Sequence, residues 1–404
     1  MKKIKSLLGI IICFLFCLLI FTLIKIFKTL NIYKIYISYS ELHRIGSVLD
    51  FEINHSICQR LKKKRKFIYI YSNNVANSFI VKKLKLHGYT IIKIPIFWAY
   101  KFEYLKKFFG KIFFEKRNFD FKVIRSNKRN KTFYIFNKKN KLLFKLDRSE
   151  IDFCEKILEE NKIDPNKKFV SFHLRDSLYL KKNFPKENWD HHLLRDYNKE
   201  TFFDAVNYLT EKEYNVFILG NVQNKFELKD DNLFDYANSN FKNDILDFYL
   251  STKCKFFFAT MSGLDMIPYT QSTPMILLMI DFPFAKDRKN ILVSTKNFKD
   301  ADGKRLTIKN LVKKEIVFSV KKKNYDFLNV KVEDPPGKEI LALVKLFESV
   351  ILNGDKISLE MQKLENEYFE LLKTCLIGYF KKNKIDYNEK DLNFNYRFNA
   401  NLLL

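Results

Sequence analysis

Residues 169–176, FVSFHLRD, decide how this 404-residue chain is read. Phe169-Val170-Ser171-Phe172 is an apolar run suited to a strand buried on both faces, and His173, Arg175 and Asp176 follow within four residues. In open parallel α/β sheets, ligands sit beyond the carboxyl ends of strands. Three ionisable groups closing one strand therefore point to a binding edge more than to a surface salt bridge beside a core histidine. Arg175 offers rigid planar donors suited to phosphate or carboxylate. His173 can donate to an anion or hold the loop through its second nitrogen, and Asp176 can orient either one.

The text on both sides repeats the pattern. Downstream come a long loop, a helix near 200–212, strand NVFILG (215–220), a short helix near 244–251, strand KFFFAT (255–260), a helix near 264–271 and strand MILLM (275–279). A last helix near 337–350 follows Pro335-Pro336, and the remaining residues read as helical and then polar. Upstream, a helix over 149–161 stops at Asp164-Pro165. Before it, KIYIS (34–38), FIYIY (67–71) and TIIKI (90–94) alternate with helices near 47–61 and 75–86, and 118–147 breaks the rhythm. The expectation is two successive α/β domains with parallel sheets and a cleft between them.

Three further post-strand segments carry candidate residues. YSELHRIGSVLDF (39–51) holds Glu41, His43, Arg44 and Gly46, where an ordinary strand-to-helix turn is the competing reading. Gly220-Asn221 follows NVFIL, with a plain turn as probable as a ligand contact. ATMSGLDMIPY (259–269) places Thr260, Ser262 and Gly263 between strand and helix, where hydroxyls and backbone N–H groups would face an anion, and where Ser262 could equally cap a helix. Arg175, His173 and the 260–263 turn are expected to converge on one anionic group, such as a nucleotide diphosphate.

Composition bounds the rest. Residues 1–160 hold 34 Lys and Arg against 12 Asp and Glu, so most of the net charge of +27 belongs to the N-terminal part. That suits a surface facing lipid headgroups, nucleic acid or an acidic glycan. With 47% hydrophobic residues the chain is too apolar for a disordered protein. The six cysteines form neither a disulfide framework nor a zinc pattern. LLGIIICFLFCLLIFTLI (7–24) has no charge, is flanked by lysines on both sides, and predicts a single membrane-anchoring helix. IFWAYKFEYLKKFFGKIFFEKR (96–117) mixes aromatics with lysines, as a membrane-interface segment would, or as a domain helix with one wet face would.

HLRDSLYL (173–180), RDYN (195–198), NVFILGN and TMSGLD, in that order, resemble a bacterial family of membrane-associated glycosyltransferases, and HRIGSVL (43–49) is similar to the R-I-G-H segment near that family's start. The family is distantly similar to protein O-fucosyltransferases, in which an H-x-R arginine contacts the donor diphosphate. Ser47 stands where the family commonly has His, and Ile218 where an arginine is often found. The resemblance implies an α/β fold of two Rossmann-like domains of the GT-B type. An anchor helix would cover 1–30, an acceptor domain 31–162, a nucleotide-sugar domain 163–352 and a helical, polar tail 353–404. It implies an inverting hexosyl- or fucosyl-type transferase of cell-surface polysaccharide synthesis, at the inner membrane with its catalytic part facing the cytoplasm. No metal and no cofactor beyond the nucleotide-sugar co-substrate is implied; the partners would be a glycan or lipid-linked acceptor and the membrane, with no nucleic acid. Arg175 would stabilise the departing diphosphate. His173, Asp176, Arg195, Gly220, Thr260, Ser262 and Gly263 would complete the donor site. Glu41 or His43 would act as base toward the acceptor hydroxyl.

Rival readings are a pyruvyl transferase of similar architecture, a metal-dependent transferase using Asp300-Ala301-Asp302, a glycan-binding relative without activity, and a membrane-tethered nucleic-acid binder drawn from KKKRK (62–66) and the net charge.

Overall fold

The computed structural model describes residues 145–183, 185, 189–220, 224–280, 289–317, 319, 321–382 and 396–399. Nearer the N-terminus it describes 34–39, 65–71, 75–86, 90–93 and positions 11, 14, 15, 18, 19, 22 and 26. The chain divides into two compact units, Met1–Phe136 and Asn137–Leu404.

In the first unit, β1 (Lys34–Tyr39), β2 (Arg65–Tyr71) and β3 (Thr90–Lys93) form a parallel sheet in that order. Helix α1 (Ser78–Leu86) lies between β2 and β3 in sequence and buries Phe79, Ile80, Val81 and Leu84. Asn77 fixes its start by accepting from the Ile80 N–H at 2.9 Å. The seven described positions between 11 and 26 are helical, with Thr22 Oγ1 donating to the Leu18 carbonyl at 2.8 Å. Among the described residues, no helix is long and apolar enough to cross a membrane. The rest of 7–24, the expected helix at 47–61 and the segment 96–117 lie outside the described residues.

The second unit opens with α2 (Arg148–Glu160), whose start is set by a capping box between Asp147 and Glu150. Then follow β4 (Phe169–His173), α3 (Leu178–Asn183), 3₁₀ turns Asp190–Arg195 and Lys199–Phe202, α4 (Phe203–Glu211), β5 (Asn215–Ile218) and β6 (Leu233–Phe234). Next come α5 (Asp244–Lys253), β7 (Phe257–Ala259), α6 (Met266–Thr270), β8 (Met275–Met279) and β9 (Ile291–Thr295). Strands β10 (Asn297–Lys299) and β11 (Lys331–Glu333) form an antiparallel pair, with α7 (Ile308–Lys313) and α8 (Lys322–Phe327) between them. The chain continues through α9 (Gly337–Phe347), α10 (Leu359–Lys382) and β12 (Arg397–Phe398).

The main sheet has seven strands in the order β12-β9-β8-β7-β4-β5-β6, every neighbouring pair parallel. The chain starts at β4, moves outward through β5 and β6, then returns to the other side of β4 for β7, β8 and β9. That reversal makes the β4–β7 junction the topological switch point of a doubly wound sheet. Apolar runs account for the strands: β4 buries its first four residues, and all of MILLM and ILVST are buried. Phe172, Phe258, Ile276 and Leu292 pack with Phe202, Val206 and Leu209 around α4 and with Ile340, Leu343 and Phe347 of α9. Each such side chain contributes about 1.5–3 kcal/mol through burial.

The helix at 148–160 falls in the second unit. In the C-terminal stretch, β12 adds to the edge of the main sheet beside β9, pairing Phe398 with Val293. Buried Glu365 of α10 fastens it, accepting from the Phe398 N–H and from Arg397 Nη1, both at 2.8 Å, while the Tyr368 and Phe398 rings stack at 3.6 Å.

Candidate functional site

The register of β4 against β7 sets His173 opposite Ala259, so the segments after these strands leave the sheet side by side. The Arg175 N–H donates to Thr260 Oγ1 at 2.7 Å, and that hydroxyl donates to the His173 carbonyl at 2.9 Å. Fully buried Thr260 is therefore a bridge between the two strand ends, and its hydroxyl does not face outward as an anion donor. Ser262 is also used internally. Its N–H and Oγ donate to Asp265 at 2.5 and 3.0 Å, and its Oγ accepts from the Leu264 N–H at 3.1 Å. Gly263 lies inside this stitched turn, before the five-residue α6. Met261 adopts the left-handed conformation (φ 56°), which the bridging Thr260 and the Asp265-tied Ser262 on either side hold in place.

Arg175 and its neighbours bring buried charge to this edge. The Arg175 guanidinium pairs through Nη1 with the Asp196 carboxylate, and the Arg175 carbonyl accepts from the Tyr197 N–H at 3.2 Å. Asp176 accepts from the Asn224 N–H at 2.9 Å and lies 3.5 Å from Lys199 Nζ, which donates to the Asn224 carbonyl. This knot ties the loop after β4 to the one after β5. Gly220, two residues beyond β5, accepts at its carbonyl from Lys242 Nζ. Arg195 ends the first 3₁₀ turn, one residue before Asp196. Lys296, directly after β9, donates to the Asp196 carbonyl at 2.5 Å, pairs with Asp334 at 2.6 Å and covers the Tyr197 ring at 4.0 Å.

Electrostatics follow from this crowding. Burial, then the charges of Arg175, Lys199 and Lys242, hold His173 down at about 3, so its imidazole is neutral. Its Nδ1 is buried without a hydrogen-bond partner among the described residues, 3.7 Å from Asp265 Oδ1. Lys199, Lys242 and Lys296 are each lowered by burial, and Asp196 is raised by burial against the opposing pull of Arg175. Asp247, at the start of α5 beside Lys242, is pushed up to about 6 by burial.

The structure thus brings together His173, Arg175, Asp176, Arg195, Gly220, Thr260, Ser262 and Gly263 at one end of the main sheet. Glu41, His43, Ser47 and Asn221 lie outside the described residues. Sequence reasoning missed Asp196, Lys199, Lys242, Lys296 and Asp334. Lys296 carried a legible signal, since ILVST before it reads as a strand. Asp300-Ala301-Asp302 forms a turn in which Asp300 Oδ1 accepts the N–H groups of Asp302 and Lys304 at 3.1 and 2.9 Å. Among the described residues, no group of three or more His, Cys, Asp or Glu side chains is arranged to hold a metal ion.

No known family profile matches the chain, and neither does any curated protein. Among solved structures it bears a distant likeness to glycosyltransferases. One is a glycosyl transferase family 9 protein from Veillonella parvula, with a TM-score of 0.43 and 10% identity, over 77% of this chain and 96% of that one. Another is the Escherichia coli ADP-heptose LPS heptosyltransferase II, at 0.42 and 10%, over 79% and 99%. A third is the E. coli heptosyltransferase WaaC with ADP, at 0.38 and 10%, over 65% and 92%.

Proposed function

We propose that the protein is a glycosyltransferase of the GT-B type whose second unit binds the diphosphate of a nucleotide sugar at the β4–β7 switch point. The single observation that carries this reading is the position of buried Arg175. It follows the first strand of the doubly wound order and is fixed by its own N–H to Thr260, at the end of the strand across the switch. When a sugar leaves a nucleotide donor, negative charge grows on the diphosphate, and pre-placed cationic donors lower that barrier. Arg175 has that role, with Lys199 and Lys242 adding positive potential from the neighbouring loops. His173, held neutral, would act by hydrogen bonding and not as a charge.

The finer parts of the proposal rest on sequence. Inverting transfer of a hexosyl or fucosyl unit without a metal, Glu41 or His43 as base, and a glycan or lipid-linked acceptor in cell-surface polysaccharide synthesis follow from the motif resemblance. Attachment to the inner membrane through 7–24, with the catalytic part in the cytoplasm, follows from that segment's apolar length and flanking lysines.

A thermal-shift screen of nucleoside diphosphates and nucleotide sugars tests the reading. One nucleotide class should raise the unfolding temperature, because a ligand that binds only the folded chain stabilises it by mass action. A flat response to every nucleotide at millimolar concentration would reject it.

A further inference from the structure

We infer that Lys296 and Asp334 form a positioning pair that sets the orientation of Arg175 through the segment Asp196–Asn198; this deepens the diphosphate-site reading and rests on it. Lys296 follows β9, three strands from β4, and Asp334 directly follows β11. Neither belongs to the motif segments around Arg175, and Lys296 is 5% exposed. Their contacts nevertheless converge on the segment Asp196–Asn198. Lys296 Nζ donates to the Asp196 carbonyl at 2.5 Å and lies 4.0 Å from the Tyr197 ring centre. Asp334 binds Lys296 at 2.6 Å with one oxygen and accepts from the Asn198 N–H at 2.7 Å with the other. The three consecutive residues are thus clamped by the pair.

The same segment holds Arg175. The Asp196 carboxylate pairs with its guanidinium, and the Tyr197 N–H donates to its carbonyl at 3.2 Å. The Tyr197 hydroxyl donates to the Leu278 carbonyl at 3.2 Å, which pins the segment to β8. The loop that holds Arg175 includes two 3₁₀ turns. A buried ion pair is costly to desolvate and is weak evidence of added stability; its best-attested use is to fix one arrangement among several. Here the arrangement it fixes is the Asp196 backbone, and through it the plane of the Arg175 fork. Orientation matters because bidentate recognition of phosphate depends on that plane.

The test is a double-mutant cycle read by calorimetric titration of the full chain with inorganic pyrophosphate. In the wild-type background, Lys296→Met and Asp334→Asn should each weaken pyrophosphate binding about tenfold, the size of coupling seen within one ion-pair network. In an Arg175→Ala background the same changes should have almost no further effect, because nothing remains to be oriented. Equal weakening in both backgrounds, or none in either, would overturn the positioning role. Asp334→Asn carries the test if Lys296→Met fails to fold, since the amide keeps the size of the side chain and an acceptor for Asn198. Failure of the wild-type chain to bind pyrophosphate, or unchanged binding by Arg175→Ala, would instead remove the diphosphate-site reading itself, and the inference with it.

Discussion

Acidification should act on this protein through two buried groups of opposite sign, and substituting either should unmask the other. His173 is held down at about 3, against an ordinary 6.5. Between those values the unfolded chain binds more protons than the folded one, so the contribution of His173 to stability is complete above pH 6.5 and is lost as pH falls toward 3. From pH 7 to pH 4 the loss is about 3 kcal/mol. Asp247 is pushed up from 3.8 to about 6. Its folded form binds the extra proton, so its contribution is present in acid and is lost as pH rises through that window; acidification from 7 to 4 returns about 2 kcal/mol. The wild-type chain should therefore change little from these two groups. Urea denaturation of the full chain in mild detergent, at both pH values, separates them. His173→Gln should lose about 3 kcal/mol less than wild type between pH 7 and pH 4, and Asp247→Asn about 2 kcal/mol more. If His173→Gln and wild type respond alike within 1 kcal/mol, the imidazole is not held neutral at the switch point and the reasoning fails.

Other substitutions probe the same edge and the frame behind it. Thr260→Val removes both the acceptor of the Arg175 N–H and the donor to the His173 carbonyl, and should cost about 1–3 kcal/mol by urea denaturation. Thr260→Ser should restore most of that, and a valine as stable as wild type would disprove the bridge. Arg175→Ala strands Asp196. With side chains 10% and 23% exposed, the cost should fall at or below the low end of the 3–5 kcal/mol typical of broken buried pairs, about 2–3 kcal/mol. Adding Asp196→Asn should recover part of it, and no recovery would mean that the pair is not what the arginine supports. Glu365→Ala deprives the Phe398 N–H and Arg397 of their carboxylate, so limited proteolysis should release the C-terminal segment several-fold faster. Unchanged cleavage would show that β12 is held by its strand pairing alone.

Much of the second unit was legible because parallel strands buried on both faces must be continuous apolar runs, and FVSF, NVFI, FFA and MILLM are such runs. The rule that ligands lie beyond strand ends then led to His173, Arg175 and the 260–263 turn. The burial of the cations was not legible, even for Lys296 at a readable strand end, since a lysine read alone is expected on the surface. Lys199 and Lys296 are buried only because loops distant in sequence fold over them with Asp176 and Asp334. What the hydroxyls of Thr260 and Ser262 bond to was illegible for a related reason. A hydroxyl at a strand end can serve a ligand or the chain itself, and only the register of β4 against β7 decides. Strand β12 is two residues long in a polar stretch, too short to register as periodicity, and it exists because the edge of β9 and the stacked ring of Tyr368 receive it.

The central claim is that Arg175 grips a diphosphate at the switch point. Equilibrium binding of the radiolabelled nucleoside diphosphate that most stabilises the full chain, compared between wild type and Arg175→Ala at pH 7, tests it most directly. The account predicts saturable binding by the wild type and an affinity lower by about tenfold or more for the variant, as expected for loss of a charge-assisted bond to an anion. Equal affinity in the two proteins would contradict it.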